Sequence, residues 1–337
     1  MTAGKTDRRG GLGRLVRRPE AGSILGMIVV YAFFSLLGGQ NFLGLPGWSS
    51  WLNMAAEVGT IALPVGLLMI AGYLDISVGA ILPASSLTVA LISGHYDLPL
   101  YLGVAGGLAV GVMVGFVNGV LVTRTTIPSL IITIATMFGV MGLTLGLTIM
   151  IAGSTGVFIV PDPLTKSLFG AAIGGMFQVG IFWWIGFVAL TYGALHASPW
   201  GNWVFALGGD RESARNAGIP TRALTIQLYM LSGFAAAFVG VTQVITFGSA
   251  QVAAGGSFIF NSIMCVVIGG VTVTGGTGSV LGIVFGTVTF AIVNQGIFFS
   301  SLDPNFGSII IGALLLTAVL SNDSFRATAL RYAARIK

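Results

Sequence analysis

The side chains of this chain that could do chemistry are a few polar and ionisable groups set in or beside long apolar runs. Asp75 stands in Gly72-Tyr73-Leu74-Asp75-Ile76-Ser77-Val78-Gly79, and Glu57 stands in the run before it. A charge placed in an apolar medium is costly unless it is hydrogen-bonded, paired or given an ion. Asp75 or Ser77 can accept the free N–H groups that open the following helix. The alternative use of the same groups is to gate or line a path. Glu57 reads as an interfacial acid or, more sharply, as a site for a proton or sodium. Asn118 and Asn294 lie inside apolar runs, where an amide either bonds between helices or touches a polar solute.

A second cluster is charged. Asp210-Arg211-Glu212-Ser213-Ala214-Arg215-Asn216-Ala217 has helix-forming character, with Asp210 as N-cap, Gly218 as C-terminal stop and Pro220 beyond. That spacing predicts a helix of about two turns with Arg211 and Arg215, four apart, on one face. By itself such a segment is a solvated charged loop. Nucleophilic, metal and nucleotide chemistry have little to work with. His95 and His196 are isolated, and Cys265 is the one cysteine, read as a small core residue. Gly275-Gly276-Thr277-Gly278-Ser279 has no lysine and no preceding strand, so it reads as a tight turn rather than a phosphate cradle. Gly4-Lys5-Thr6 lacks the upstream glycine of a Walker loop. No catalytic, cofactor-binding or metal site is expected.

The elements that must position these groups follow from composition. The 337 residues are 55% hydrophobic and 7% charged, with mean hydropathy +0.96. A soluble domain carries about 25% charged residues, so the natural solvent for most of this chain is lipid. Apolar segments fall at 21–38, 55–74, 78–93, 98–122, 127–152, 175–196, 223–247, 258–273, 279–299 and 306–320. Each is near the length of about 20 residues that a membrane-spanning helix needs. The fold expected is therefore all-α and polytopic, with about ten transmembrane helices in lipid. The domain plan is a basic tail at 1–20, a membrane domain at 21–322 and a second basic tail at 323–337. No cleavage pattern follows the first apolar run, which reads as a retained span.

Charge orients the bundle. With both termini cytoplasmic, fourteen of the fifteen Lys and Arg lie inside and only Lys166 outside. The basic balance is thus a topology signal and does not point to nucleic acid. Two connections are long: 153–174, external, and 197–222, cytoplasmic, which holds the charged cluster. Gly103, Gly107, Gly111, Gly115 and Gly119 share one helix face, and Gly278, Gly282 and Gly286 repeat the spacing. Faces without side chains let helices pack closely in lipid; a permeation path is the other reading.

Taken together, these segments resemble the permease subunits of ATP-binding-cassette importers for monosaccharides, the ribose/xylose/galactose group that includes the autoinducer-2 permeases. The resemblance runs from about residue 50 to 322. Three stretches carry it: Ile70 through Asp75 to Gly79; Ala206-Leu207-Gly208-Gly209-Asp210 through Ala214 to Gly218-Ile219; and Val266-Val267-Ile268-Gly269-Gly270 followed by Gly275 to Gly282. Asn118-Gly119, Ile127-Pro128 and Thr136-Met137 add to it. The resemblance implies that Asp210, Arg211, Glu212, Ser213, Ala214, Arg215, Gly218 and Ile219 form a coupling helix docked on a cytoplasmic ATPase subunit, which would hold the ATP. It implies a periplasmic sugar-binding protein on the outer face, and a second permease as an identical copy or a paralogue. Many family members have an acid in the stretch matching 255–262, where this chain has none, and an arginine where Met141 stands. Asn261, from that stretch, joins Asp75, Ser77, Asn118 and Asn294 as candidates for the path or gate. The competing reading is a secondary transporter driven by an ion gradient, with Asp75 and Glu57 as its ion sites.

Overall fold

The computed structural model describes residues 20–300 together with Asp303, Ile309, Gly312, Ala313 and Leu316. The chain runs α1 (Ala21–Leu43), α2 (Leu45–Ile70), α3 (Val78–Ala90, continued by a π-turn, Leu91–His95), α4 (Leu100–Arg124) and α5 (Ser129–Ala152). After β1 (Gly156–Phe158), a one-turn helix and the small hairpin β2 (Ala172–Ile173) and β3 (Phe177–Gln178) come α6 (Gly180–His196), α7 (Pro199–Gly209) and α8 (Arg211–Asn216). Then follow α9 (Thr221–Phe247), β4 (Ser249–Gln251), α10 (Gly256–Ile268) and α11 (Val280–Phe299).

Helix ends sit where local chemistry puts them. Pro46 and Pro199 occupy first-turn positions, where a missing N–H costs nothing. Gly153 and Gly248, both at φ 68°, close α5 and α9 in the left-handed conformation that side chains resist. The interior belongs to α2 and α9, with 83% and 78% of their apolar stretches buried, while those of α1 and α5 are 17% and 11% buried and face outward. The glycine face of α4 lies against its neighbours: Gly103 and Gly107 against α3, and Gly111, Gly115 and Gly119 against α9. At Gly111 and Gly233 the two backbones touch directly, since a Cβ on either would strike the other's carbonyl. Gly282 and Gly286 face Gly269 and Cys265 at the end of α10, and Gly278 sits in the turn before α11, against Ile70 and Val271.

Seven described helices are long and apolar enough to cross a membrane, or eight if the bent pair α6 and α7 is one span. The expectation of ten is modified at two places. The eighth apolar segment is the thirteen-residue α10, about 20 Å long at 1.5 Å per residue and short of the roughly 30 Å hydrocarbon core. It is preceded by a 3₁₀ turn at Val252–Gly255 and stopped at Gly269-Gly270. The tenth segment, 306–320, lies outside the described residues apart from Ile309, Gly312, Ala313 and Leu316, which are helical. Both basic tails lie outside them too, except Glu20.

The connections sort to two ends. At one, β1 pairs with β4 in antiparallel register, Val157 opposite Ala250, and Asn53 of α2 bonds the backbone at Met176 and Gln178. At the other, the 71–77, 125–128, 197–220 and 269–279 segments meet. Of the five described Lys and Arg, Arg124, Arg211, Arg215 and Arg222 are at this second end and Lys166 at the first. This is the end that the positive-inside rule expects on the cytoplasmic side.

Candidate functional site

The second end carries a polar helix on a bent arm. Helix α8 is held by its N-cap: Asp210 Oδ1 accepts the Ser213 N–H at 2.6 Å. Hydrogen bonds from the Ser213 side chain and N–H hold the Asp210 carboxyl below the usual carboxylate range. At the other end Gly218 (φ 83°) reverses the chain, with its N–H on Arg215 O and the Ile219 N–H on Ala214 O. Arg211, Glu212, Ser213 and Arg215 are exposed, Ala214 is buried, and Ile219 packs on the core. The expected loop at 197–222 also contains a helix that polarity alone does not announce. This is α7, bent 73° from α6, which buries Gly201, Val204 and Leu207.

A glycine joint fastens this arm to the bundle. The Gly276 N–H donates to Ile70 O at 2.8 Å. A Cβ on Gly208 would strike Ile70 O and come within 2.7 Å of Gly276 N; one on Gly275 would lie 2.8 Å from Gly72 Cα. Three segments distant in sequence thus meet backbone to backbone. Beside them the Arg211 guanidinium lies over the Tyr73 ring, 6.0 Å from its centroid.

From Tyr73 a polar network runs into the bundle. The break at 71–77 between α2 and α3 is buried, and its backbone finds partners on other helices. Tyr229 of α9 donates its hydroxyl to Leu74 O at 3.0 Å, and the Leu74 N–H donates to Ser129 Oγ of α5 at 3.2 Å. Asp75, fully buried, accepts the Ser77 N–H at 3.0 Å and the Ser77 hydroxyl at 2.6 Å on Oδ1, and the Ser232 hydroxyl of α9 at 2.8 Å on Oδ2. Asn118 of α4 donates Nδ2 to Ser77 Oγ at 2.8 Å, and its Oδ1 has no partner among the described residues. Asp75 therefore shapes the entry to α3 and also joins α3, α4 and α9.

The other candidates fall elsewhere. Asn261 is half-buried on α10. Asn294, on α11, accepts from its neighbour Gln295 at 3.2 Å and so bonds along its own helix. Glu57 is turned toward α9, where Gln243 Nε2 donates to it at 3.0 Å. His196 Nε2 accepts the Val280 N–H that opens α11, at 3.3 Å. Among the described residues no three metal-ligating side chains cluster. Sequence reading did not single out Tyr73, Ser129, Ser232, Tyr229 or Gly208 as parts of one site. Ser232 is 157 residues from Asp75, and no local pattern marks that distance.

An oily bundle built round a hydrogen-bonded break, with an exposed capped helix mounted at one end, is the membrane-spanning part of a transporter. Residues 47–319 match the family described as "Branched-chain amino acid transport system / permease component", and the chain belongs to that family. It is 29% identical over 317 residues to a fructose import permease of Rhizobium meliloti, covering 92% of this chain and 87% of that one. It is 28% identical over 301 residues to the ribose import permease of Escherichia coli K12 (89% and 92%). It is 28% identical over 265 residues to an autoinducer 2 import system permease of Photorhabdus temperata (78% and 79%). Among solved structures it is similar to PsaBC from Streptococcus pneumoniae in complex with Fab, with TM-score 0.44 and 16% identity over 86% of this chain and 93% of that one. The chain is a multi-pass permease of the inner membrane.

Proposed function

We propose that this permease forms the path of an ATP-driven importer for a monosaccharide or a sugar-like solute, catalyses no reaction itself and takes no cofactor. ATP would be bound and hydrolysed on a separate cytoplasmic ATPase subunit, with α8 as its docking point. A periplasmic sugar-binding protein would deliver the solute to the end carrying β1 and β4, and a second permease, identical or paralogous, would complete the path. The observation that carries this reading is α8 itself. It is exposed, charged and capped, and it is tied through Gly208 and Arg211 to the buried break at 71–77. A push on α8 has a continuous route into the bundle. The sugar import relatives support the substrate class.

The test is to change Asp210, Arg211, Glu212 and Arg215 together to alanine in the assembled transporter. The variant should insert normally and ATP hydrolysis should continue, while uptake of labelled sugar falls by more than about tenfold, the loss of a coupling free energy above about 1.4 kcal/mol. Unchanged uptake removes α8 from the coupling route. Uptake that survives inactivation of the ATPase, yet collapses with an uncoupler, would favour the ion-driven reading instead.

A further inference from the structure

Near the external end, a small pocket lies between α2, α9 and the segment leading into α6. Its walls include Glu57, Thr60, Thr242, Thr246, Gln178 and the ring of Phe238. The hydrogen bonds around it leave several oxygens free to accept. The Thr60 hydroxyl donates to Ala56 O at 2.7 Å and the Thr242 hydroxyl to Val239 O at 2.9 Å, so both oxygens have only lone pairs left to offer. Gln243 Nε2 donates to Glu57 Oε2 at 3.0 Å, leaving Oε1 free. Among the described residues no Lys or Arg forms an ion pair with this carboxylate. The pocket thus presents oxygens able to accept, from two threonines and one carboxylate, and that carboxylate has no Lys or Arg paired with it among the described residues.

We propose that this pocket is a binding site for one hard monovalent cation of sodium size. Hard cations take carboxylate, amide and hydroxyl oxygens, and Gln178 and Thr246 can add oxygens to those of Glu57, Thr60 and Thr242. One carboxylate matches one positive charge; a divalent ion would keep an uncompensated charge in a low-dielectric site. The cavity has room for little more than one water-sized particle, which excludes a sugar. An anion would be set against the Glu57 carboxylate and the lone pairs of Thr60 and Thr242. The site joins α2 to α9, the two most buried helices, so an ion there would fasten the external half of the core. The inference does not depend on the transported solute or on the coupling role of α8.

The full-length permease, purified in nanodiscs, is the material for the test. Thermal unfolding is followed at fixed pH and ionic strength in sodium, potassium and N-methylglucamine chloride, and binding of ²²Na⁺ is measured directly. Sodium should raise the midpoint in a saturable way over N-methylglucamine, as ligand linkage requires. Glu57→Gln should remove the shift and cut ²²Na⁺ binding by more than about tenfold, because it removes the one charged ligand. Thr242→Val, close in shape but without the oxygen, should weaken binding while keeping the fold, which covers the case in which Glu57→Gln does not fold. Equal midpoints in the three salts with no ²²Na⁺ bound would overturn the proposal. So would sodium binding that survives both substitutions. A midpoint that responds to pH and not to the cation would also overturn it, because a proton then neutralises the carboxyl.

Discussion

Asp75 is the residue on which the hydrogen bonding of the buried 71–77 break converges. Its two oxygens serve three donors, from Ser77 and Ser232, and Asn118 extends the network to α4. Removing an acceptor while leaving its donors buried costs about 1–3 kcal/mol per stranded group. Asp75→Val should therefore lower the unfolding midpoint of the purified permease by far more than Asn118→Ala, which removes one donor worth about 1 kcal/mol. Asp75→Asn should fall between them. It keeps an oxygen for the Ser77 N–H, and the Ser232 hydroxyl can turn to accept from the new amide. Equal midpoints for Asp75→Val and the native chain, measured by scanning fluorimetry in nanodiscs, would mean that the network does not hold the break in place. Glu57 differs in kind: one amide serves it, and the hydroxyl protons of Thr60 and Thr242 beside it are committed to backbone carbonyls.

At the scale of elements, the sequence carried the helices well and the breaks poorly. Long apolar runs announce spans because a backbone in lipid must satisfy itself, and the helix does so within one segment. The four-residue glycine spacing of α4 was legible for a related reason: with no side chain on one face, something else must fill it, and α9 and α3 do. The arm α7 was not legible as a helix, because Trp200, Gly201, Gly208 and Gly209 dilute its pattern and its burial is decided by Leu195 and Ile70 elsewhere in the chain. The short pairing of β1 with β4 joins residues nearly a hundred positions apart and leaves no local trace. The cap at Asp210 and the stop at Gly218 were visible, since both are local chemistry. Two glycines give a matched prediction. Gly111→Val would drive a side chain into the Gly233 carbonyl, and overpacking of this kind costs about 1–3 kcal/mol or more. Gly139, on the outward face of α5, has open space around it, so Gly139→Ala should be neutral or stabilise by up to about 1 kcal/mol through helix propensity. Thermal unfolding of the two variants should separate them in that order. A destabilised Gly139→Ala would show that another helix packs closely on α5.

For the whole molecule, the proposed coupling role of α8 raises the question of how a push at that end would reach the middle of the bundle. If α8 is the docking point proposed above, it is too short and too exposed to move the core by its own contacts, and the arm α7 would carry the motion. Gly208 is where the arm meets both Ile70, at the end of α2, and Gly276, in the turn before α11. From Ile70 the chain enters the 71–77 break directly, and Asp75 there holds α3, α4 and α9 through Ser77, Asn118 and Ser232. Rigid parts in direct contact can transmit a small displacement because packed interfaces shift between discrete arrangements rather than deform smoothly. Gly208→Ala pushes the arm off the bundle by the size of one methyl group, whereas Gly209→Ala, one residue on, meets nothing within 4 Å. In the assembled transporter both variants should retain ATP hydrolysis, because neither touches the exposed face of α8. Uptake should fall by more than about tenfold in Gly208→Ala, through loss of the same coupling free energy that the α8 variant removes, and stay near the native rate in Gly209→Ala. Equal uptake by the two variants would mean that the motion bypasses this contact, and the remaining route from α8 would be the Arg211–Tyr73 pair.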